Sequence, residues 1–192
     1  MCGCATPAHR AEPRDGEGTA QASMERLWAP WRLDYVTGAA DATSPDCVFC
    51  VAPGLPEPES LVVARGDRCF VVLNRYPYSN GHLLVVPNRH LGSLAETTAA
   101  ELAELMALTR RAEMALTEAY CPDGLNIGIN LGRSAGAGVP GHLHVHLVPR
   151  WDGDTNFMTV IGETRVVPEE PRRTLARLVP IFERLAHEAV QG

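Results

Sequence analysis

Apolar and polar positions repeat at two different periods along this chain of 192 residues, and the periods assign its elements. Residues 61–65 and 69–73 are short Val- and Leu-rich runs separated by Gly66 and Asp67, which is turn chemistry for a hairpin. A third run, 82–86, follows the turn-like Tyr78-Ser79-Asn80-Gly81 and stops at Pro87. The period then lengthens. Leu102, Leu105, Thr109, Ala112, Leu116 and Ala119 recur every three or four residues, and Thr98 with Glu101 supplies a capping box ahead of them, so one long central helix is expected. Leu125, Ile127, Ile129 and Leu131 alternate with small or polar residues, and Leu143, Val145 and Leu147 alternate with histidines, as half-buried strands do. Leu175, Leu178, Phe182, Leu185 and Ala189 predict an amphipathic C-terminal helix that Pro180 kinks or delays. Strands, helix, strands and helix in that order predict an α+β fold with an antiparallel sheet.

Residues 1–23 are rich in Ala, Gly, Pro, Glu and Arg without an apolar period, and predict a disordered N-terminal tail. Residues 24–192 are expected to form a single domain with a C-terminal helical extension. Met24 opens the first aromatic-rich stretch, Leu27-Trp28-Ala29-Pro30-Trp31-Arg32, which makes it an alternative to Met1 as the start of translation.

A formal net charge of -6 argues against an electrostatic grip on duplex nucleic acid, which needs clustered Lys and Arg. A local phosphate site remains compatible with an acidic chain. No apolar run approaches the roughly 20 residues that cross a bilayer, so no membrane partner is expected. The first residues lack the basic start and apolar stretch of a secretory signal, and the expected compartment is the cytoplasm. There the six cysteines are read as free thiols or metal ligands rather than disulfides. Cys47-Val48-Phe49-Cys50 offers two soft ligands at the spacing of half a structural zinc site, and two buried thiols without metal is the competing reading.

The densest chemistry lies in Gly141-His142-Leu143-His144-Val145-His146-Leu147-Val148-Pro149-Arg150-Trp151. Strand side chains alternate faces, so His142, His144 and His146 should share one side, roughly 6–7 Å apart, with Leu143, Val145 and Leu147 on the other. Such a row can bind a metal, contact a phosphate at several oxygens, or supply a nucleophile with neighbouring donors. The preceding loop, Gly132-Arg133-Ser134-Ala135-Gly136-Ala137-Gly138, reads either as a phosphate cradle of main-chain N–H groups or as a plain hairpin connection. Arg133 and Ser134 are its polar side chains.

His-apolar-His-apolar-His-apolar-apolar resembles the signature of the histidine triad superfamily of nucleotide hydrolases and transferases. Asn74 before a turn, His82 opening Gly-His-Leu-Leu-Val-Val-Pro, His90 after that strand and Asn130 before the triad follow the family's order. The Trp-rich segment at 27–32 and Pro149-Arg150-Trp151-Asp152-Gly153-Asp154-Thr155-Asn156-Phe157 resemble a bacterial branch that contains diadenosine tetraphosphate phosphorylases. The resemblance implies that His144 attacks an α-phosphorus to form a nucleotidyl-histidine, with His142 completing the triad. It implies that His146 and His82 donate to phosphate oxygens, that Asn74 contacts ribose hydroxyls and that Asn130 orients phosphate or the leaving group. Arg133, Ser134 and Gly138 would lie near the substrate, and Trp151 would stack on a base or meet a neighbouring subunit. It also implies a structural zinc held by Cys47, Cys50, His90 and His142, an adenine dinucleoside polyphosphate and inorganic phosphate as partners, and a homodimer or higher homo-oligomer.

The chain departs from the family in one place. Dinucleoside triphosphate hydrolases of the superfamily carry Gln where this chain has Gly138, and similar phosphorylases place Gly-Ser where it has Ala137-Gly138. Three functions are therefore expected in competition: a phosphorylase that yields ADP and ATP, a hydrolase or phosphoramidase that uses water, and a zinc-stabilised nucleotide-binding regulatory protein.

Overall fold

A computed structural model describes residues 47–57, 59–154 and 169–191, with side chains described up to residue 188. The expected tail, Met24, Trp28 and Trp31 lie outside the described residues, as does the side chain of Ala189. The elements in chain order are α1 (Val48–Val51), β1 (Val62–Arg65), β2 (Cys69–Leu73), β3 (Leu83–Pro87), α2 (Ala99–Tyr120), β4 (Gly124–Ile129), β5 (Val145–Arg150) and α3 (Pro171–Gln191). The strands form one five-stranded sheet in the order β1-β2-β3-β5-β4, and every neighbouring pair is antiparallel. The α+β expectation holds.

Alternation along the strands feeds two cores. Leu83, Val85, Leu143, Val145 and Leu147 face α2 and α3, where they meet Leu105, Ala112, Leu116, Leu178 and Phe182. Leu84 and Val86 face the other way and join Val62, Phe70 and Val72 under Cys47 and Phe49. Because both faces are covered, β2 and β3 are buried at every position, which is why they read as continuous apolar runs. Among the described residues no helix is long and apolar enough to cross a membrane.

The capping box forms as expected. The Thr98 hydroxyl accepts from the Glu101 N–H at 3.2 Å, and the Glu101 carboxylate accepts from the Thr98 N–H at 2.7 Å. Glu101 also takes two donors from Arg89 at 2.9 Å. These bonds turn Glu101 inward, to 8% exposed, and rotate Leu102 outward, to 41%. The expectation that Leu102 faces the core is thus corrected, whereas Leu105, Thr109, Ala112 and Leu116 are buried.

Three further expectations change. β4 is an edge strand, so Ile127 stands 45% exposed opposite buried Leu147, and Leu131 lies beyond the strand and is equally exposed. Pro180 does not delay α3, which runs through it; the proline sits on the exposed side, where water can satisfy the carbonyl it leaves unpaired. The strand carrying the histidines begins only at Val145, so His142 and His144 lie on the approach to β5.

Candidate functional site

Leu143, Val145 and Leu147 belong to the core beneath α2 and α3, so the alternating histidines emerge on the opposite face. The register confirms this, since His146 is paired with Leu84, whose side chain lies in the second core. The rings are closer than strand spacing alone implies: His144 and His146 have centroids 4.8 Å apart. His142 is 1% exposed, His144 4% and His82 1%.

Hydrogen bonds with unambiguous partners fix the protonation of these rings. A carbonyl oxygen can only accept, so the contact of His144 Nδ1 with the His142 carbonyl at 2.7 Å places a proton on Nδ1 and leaves the lone pair of neutral His144 on Nε2. Burial pushes the pKa of His144 down, with the bond to the carbonyl acting in the opposite direction. A neutral imidazole with the lone pair of Nε2 available is the result.

A second chain of bonds arrives from β3. Gly81 takes a left-handed φ of +72°, and a Cβ there would lie 2.9 Å from the Tyr120 ring, so glycine is required where the chain turns into His82. The main-chain N–H of Tyr78 donates to His82 Nδ1 at 3.1 Å, and the Asn74 amide lies 3.3 Å from the same atom. The proton of neutral His82 is therefore on Nε2, which donates to His146 Nδ1 at 3.0 Å. Neutral His146 must then carry its own proton on Nε2. One backbone amide thus sets the tautomers of two histidines in series.

The first histidine of the row serves a different cluster. His142 Nε2 lies 2.9 Å from the Pro87 carbonyl and must donate to it, so its lone pair is on Nδ1. That atom faces Cys47 Sγ at 3.3 Å and Cys50 Sγ at 3.6 Å, and His90 Nδ1 lies 3.4 Å from Cys50 Sγ. The ligand atoms of Cys47, Cys50, His90 and His142 all fall within 4.8 Å of one another. A tetrahedral metal with ordinary zinc–sulfur and zinc–nitrogen bonds separates S and N ligands by about 3.6 Å, so the set fits. Burial lowers the pKa of His142 to about 4, which keeps it a neutral ligand at neutral pH. Burial also pushes the Cys47 thiol up, and a bound cation is what would hold it as a thiolate.

These bonds gather Asn74, His82 and His146 into one cluster, which His144 joins by ring contact with His146, and Cys47, Cys50, His90 and His142 into another. As described they do not extend to Asn130, Arg133, Ser134, Gly138 or Trp151. Asn130 is half-buried just past β4, Arg133 and Ser134 are exposed on a single 3-10 turn, Gly138 is buried, and Trp151 is half-buried past the end of β5. Two residues escaped the sequence reading. Tyr78, taken there only as part of a turn, supplies the amide to His82 and stacks its ring on His146 at 6.1 Å. Phe49, taken as a spacer between cysteines, packs against His142 and His144.

A model of the HIT domain matches residues 56–153, half the chain. The chain belongs to the HIT family. It is 46% identical over 162 residues to an AP-4-A phosphorylase of Mycobacterium tuberculosis, a match spanning 80% of this chain and 83% of the relative. It is 34% identical over 110 residues to an Arabidopsis thaliana adenylylsulfatase, covering 57% of this chain and 54% of that protein. Among solved structures it is similar to a Zn-bound histidine triad family protein from Mycobacterium smegmatis, with a TM-score of 0.61, 29% identity, and coverage of 76% of this chain and 99% of that one. Together these support a nucleotide-processing enzyme of the HIT family.

Proposed function

We propose that this HIT protein is a phosphorylase that cleaves diadenosine tetraphosphate with inorganic phosphate to ADP and ATP through a covalent nucleotidyl-His144. The observation that carries the reading is the 2.7 Å bond from His144 Nδ1 to the His142 carbonyl, which presents Nε2 as the attacking atom. The 46% identity to an AP-4-A phosphorylase supports the substrate.

In this mechanism His144 Nε2 attacks the α-phosphorus. The P–N bond forms as the P–O bond toward the β-phosphate breaks, and ATP leaves. The His142 carbonyl stabilises the positive ring that results, and the Nε2–H of His146 donates to phosphate oxygen as charge shifts there. An oxygen of inorganic phosphate then attacks the same phosphorus, the P–N bond breaks, and ADP departs from regenerated His144. Asn74 and Asn130 are assigned to the ribose and the phosphate or leaving group, and Trp151 to base stacking or a subunit contact. Arg133, Ser134 and the main chain up to Gly138 are assigned to the acceptor phosphate. Because Gly138 lacks a hydroxyl, one charge-assisted bond is missing, and loss of about 1.5–3 kcal/mol would raise the phosphate requirement roughly ten- to a hundredfold.

Cys47, Cys50, His90 and His142 are proposed to hold a structural zinc, which when bound cross-links α1 to the approach of β5. The reading includes a homodimer or higher homo-oligomer, supported by β4, which ends the strand order among the described residues, and by Ile127, Leu102 and Met106, exposed by 45%, 41% and 54%. Incubation with diadenosine tetraphosphate, with and without phosphate, tests the reaction. ADP plus ATP at a rate that rises with phosphate is expected, whereas AMP plus ATP at a phosphate-independent rate would leave the hydrolase reading standing.

A further inference from the structure

α1 is a single helical turn of four residues, Val48–Val51. A helix that short does not hold itself in water, because nucleation costs more than its few bonds return. Its cap carries no side-chain hydrogen bond, and Val48 and Val51 point outward, at 60% and 42% exposed. The turn is tied to the sheet by Phe49, which packs into the second core, and by Cys47 and Cys50, which face the rings of His142 and His90. Between the two cysteines, Phe49 is buried at 8% exposed. Its ring stands edge-on to His142 at 5.5 Å and 83°, and lies 5.0 Å from the ring of His144, tilted by 49°.

We infer that Phe49 is the positioning residue through which the Cys47, Cys50, His90 and His142 cluster holds the ring of His144. The inference rests on the reading of His144 as nucleophile and of the four ligands as a metal site, and deepens both. Two links run in parallel from that cluster to His144. His142 lends its main-chain carbonyl to the Nδ1–H, and Phe49 forms a wall against the ring. The carbonyl sets which nitrogen attacks. The wall limits rotation of the ring about χ2, the motion that would break the bond to the carbonyl. A shift of the attacking atom by about 1 Å can cost about a hundredfold in rate, so a side chain outside the four metal ligands can control turnover through the orientation of His144.

The test uses zinc-loaded full-length protein carrying Phe49→Ala or Phe49→Leu, with elemental analysis to show that each retains metal. In Phe49→Ala, kcat is expected to fall about ten- to a hundredfold while KM for diadenosine tetraphosphate changes less than about threefold, because orientation in the transition state is lost rather than binding. Phe49→Leu, which restores an apolar wall, should recover most of the loss. A second readout is independent of activity: 15N NMR of the His144 imidazole should report a single Nδ1–H tautomer in the zinc-loaded wild type. It should report a mixture in Phe49→Ala and in wild type stripped of metal. Wild-type kcat in metal-loaded Phe49→Ala, or an unchanged single tautomer in the stripped wild type, overturns the inference. If the wild type showed no phosphorolysis at all, the proposed reaction would fail while the tautomer measurement still decided the role of Phe49. If Phe49→Ala did not fold, Phe49→Leu and the stripped wild type would decide it.

Discussion

His144 donates from Nδ1 to the main-chain carbonyl of His142 at 2.7 Å, while the ring of His142 turns away to face Cys47 at 3.3 Å. Two adjacent histidines of one row thus have unlike surroundings, and in the proposed reading one is the neutral nucleophile and the other a metal ligand whose backbone orients it. His144→Ala should keep the fold, by circular dichroism and thermal melting, yet lose at least about a hundredfold in kcat, since only binding and electrostatic stabilisation remain. An acid-labile nucleotidyl adduct should be trapped on the wild type and be missing from the variant. Near-normal turnover in folded His144→Ala would end the covalent reading.

The relay from Tyr78 through His82 to His146 predicts a loss of rate without loss of the nucleophile. In His82→Ala the proton of His146 is no longer confined to Nε2, and kcat should fall about ten- to a hundredfold, no more than loss of a direct transition-state donor typically costs. Added imidazole, which can reoccupy the buried space left by the ring, should restore part of the rate. An unchanged kcat would show that the order of protons along the relay is irrelevant to turnover.

Purified protein should carry about one zinc per chain by elemental analysis, and Cys47→Ser should lower that content. Removing the metal should also lower the melting temperature. If zinc contributes even about 3 kcal/mol to folding, its loss corresponds to roughly 6–12 °C for a chain of this size. A metal-free preparation that melts at the same temperature before and after chelator treatment would remove the zinc site.

Glu101 predicts an acid limb of stability that is independent of the active site. The Arg89 guanidinium and the Thr98 N–H lower its pKa to about 2, from an ordinary value of 4.5. A carboxyl depressed in the folded state stabilises fully above its unfolded pKa, and the contribution disappears as pH falls through the folded one. Glu101→Gln should therefore unfold at lower denaturant than wild type at pH 7, and the gap should close between pH 4.5 and about 2. A gap of constant size across that range would assign the effect to packing instead of charge.

Much of this protein was legible from local pattern. The capping box of Thr98 and Glu101, the apolar runs of β2 and β3 and the alternation of His142, His144 and His146 with Leu143, Val145 and Leu147 are all set by spacing of about 3.6 or 2 residues, which a single segment carries by itself. The likeness to a family supplied His82, His90 and Asn74 at their separate places in the chain. Tertiary structure decided what spacing cannot express. Leu102 fits the helical period as well as Leu105 does, but Arg89, from the loop after β3, draws Glu101 inward and turns Leu102 to solvent. Ile127 alternates like a core residue, yet β4 ends the sheet order and leaves it uncovered. The sequence determined that three histidines share a face. Only the fold determined their separate protonation patterns, because the proton on each ring is placed by a partner distant in sequence or by the backbone: Pro87 for His142, the carbonyl of His142 for His144, and His82 for His146. A hydrogen bond acts over about 3 Å of space whatever the separation along the chain, so those assignments existed only once the strands had paired.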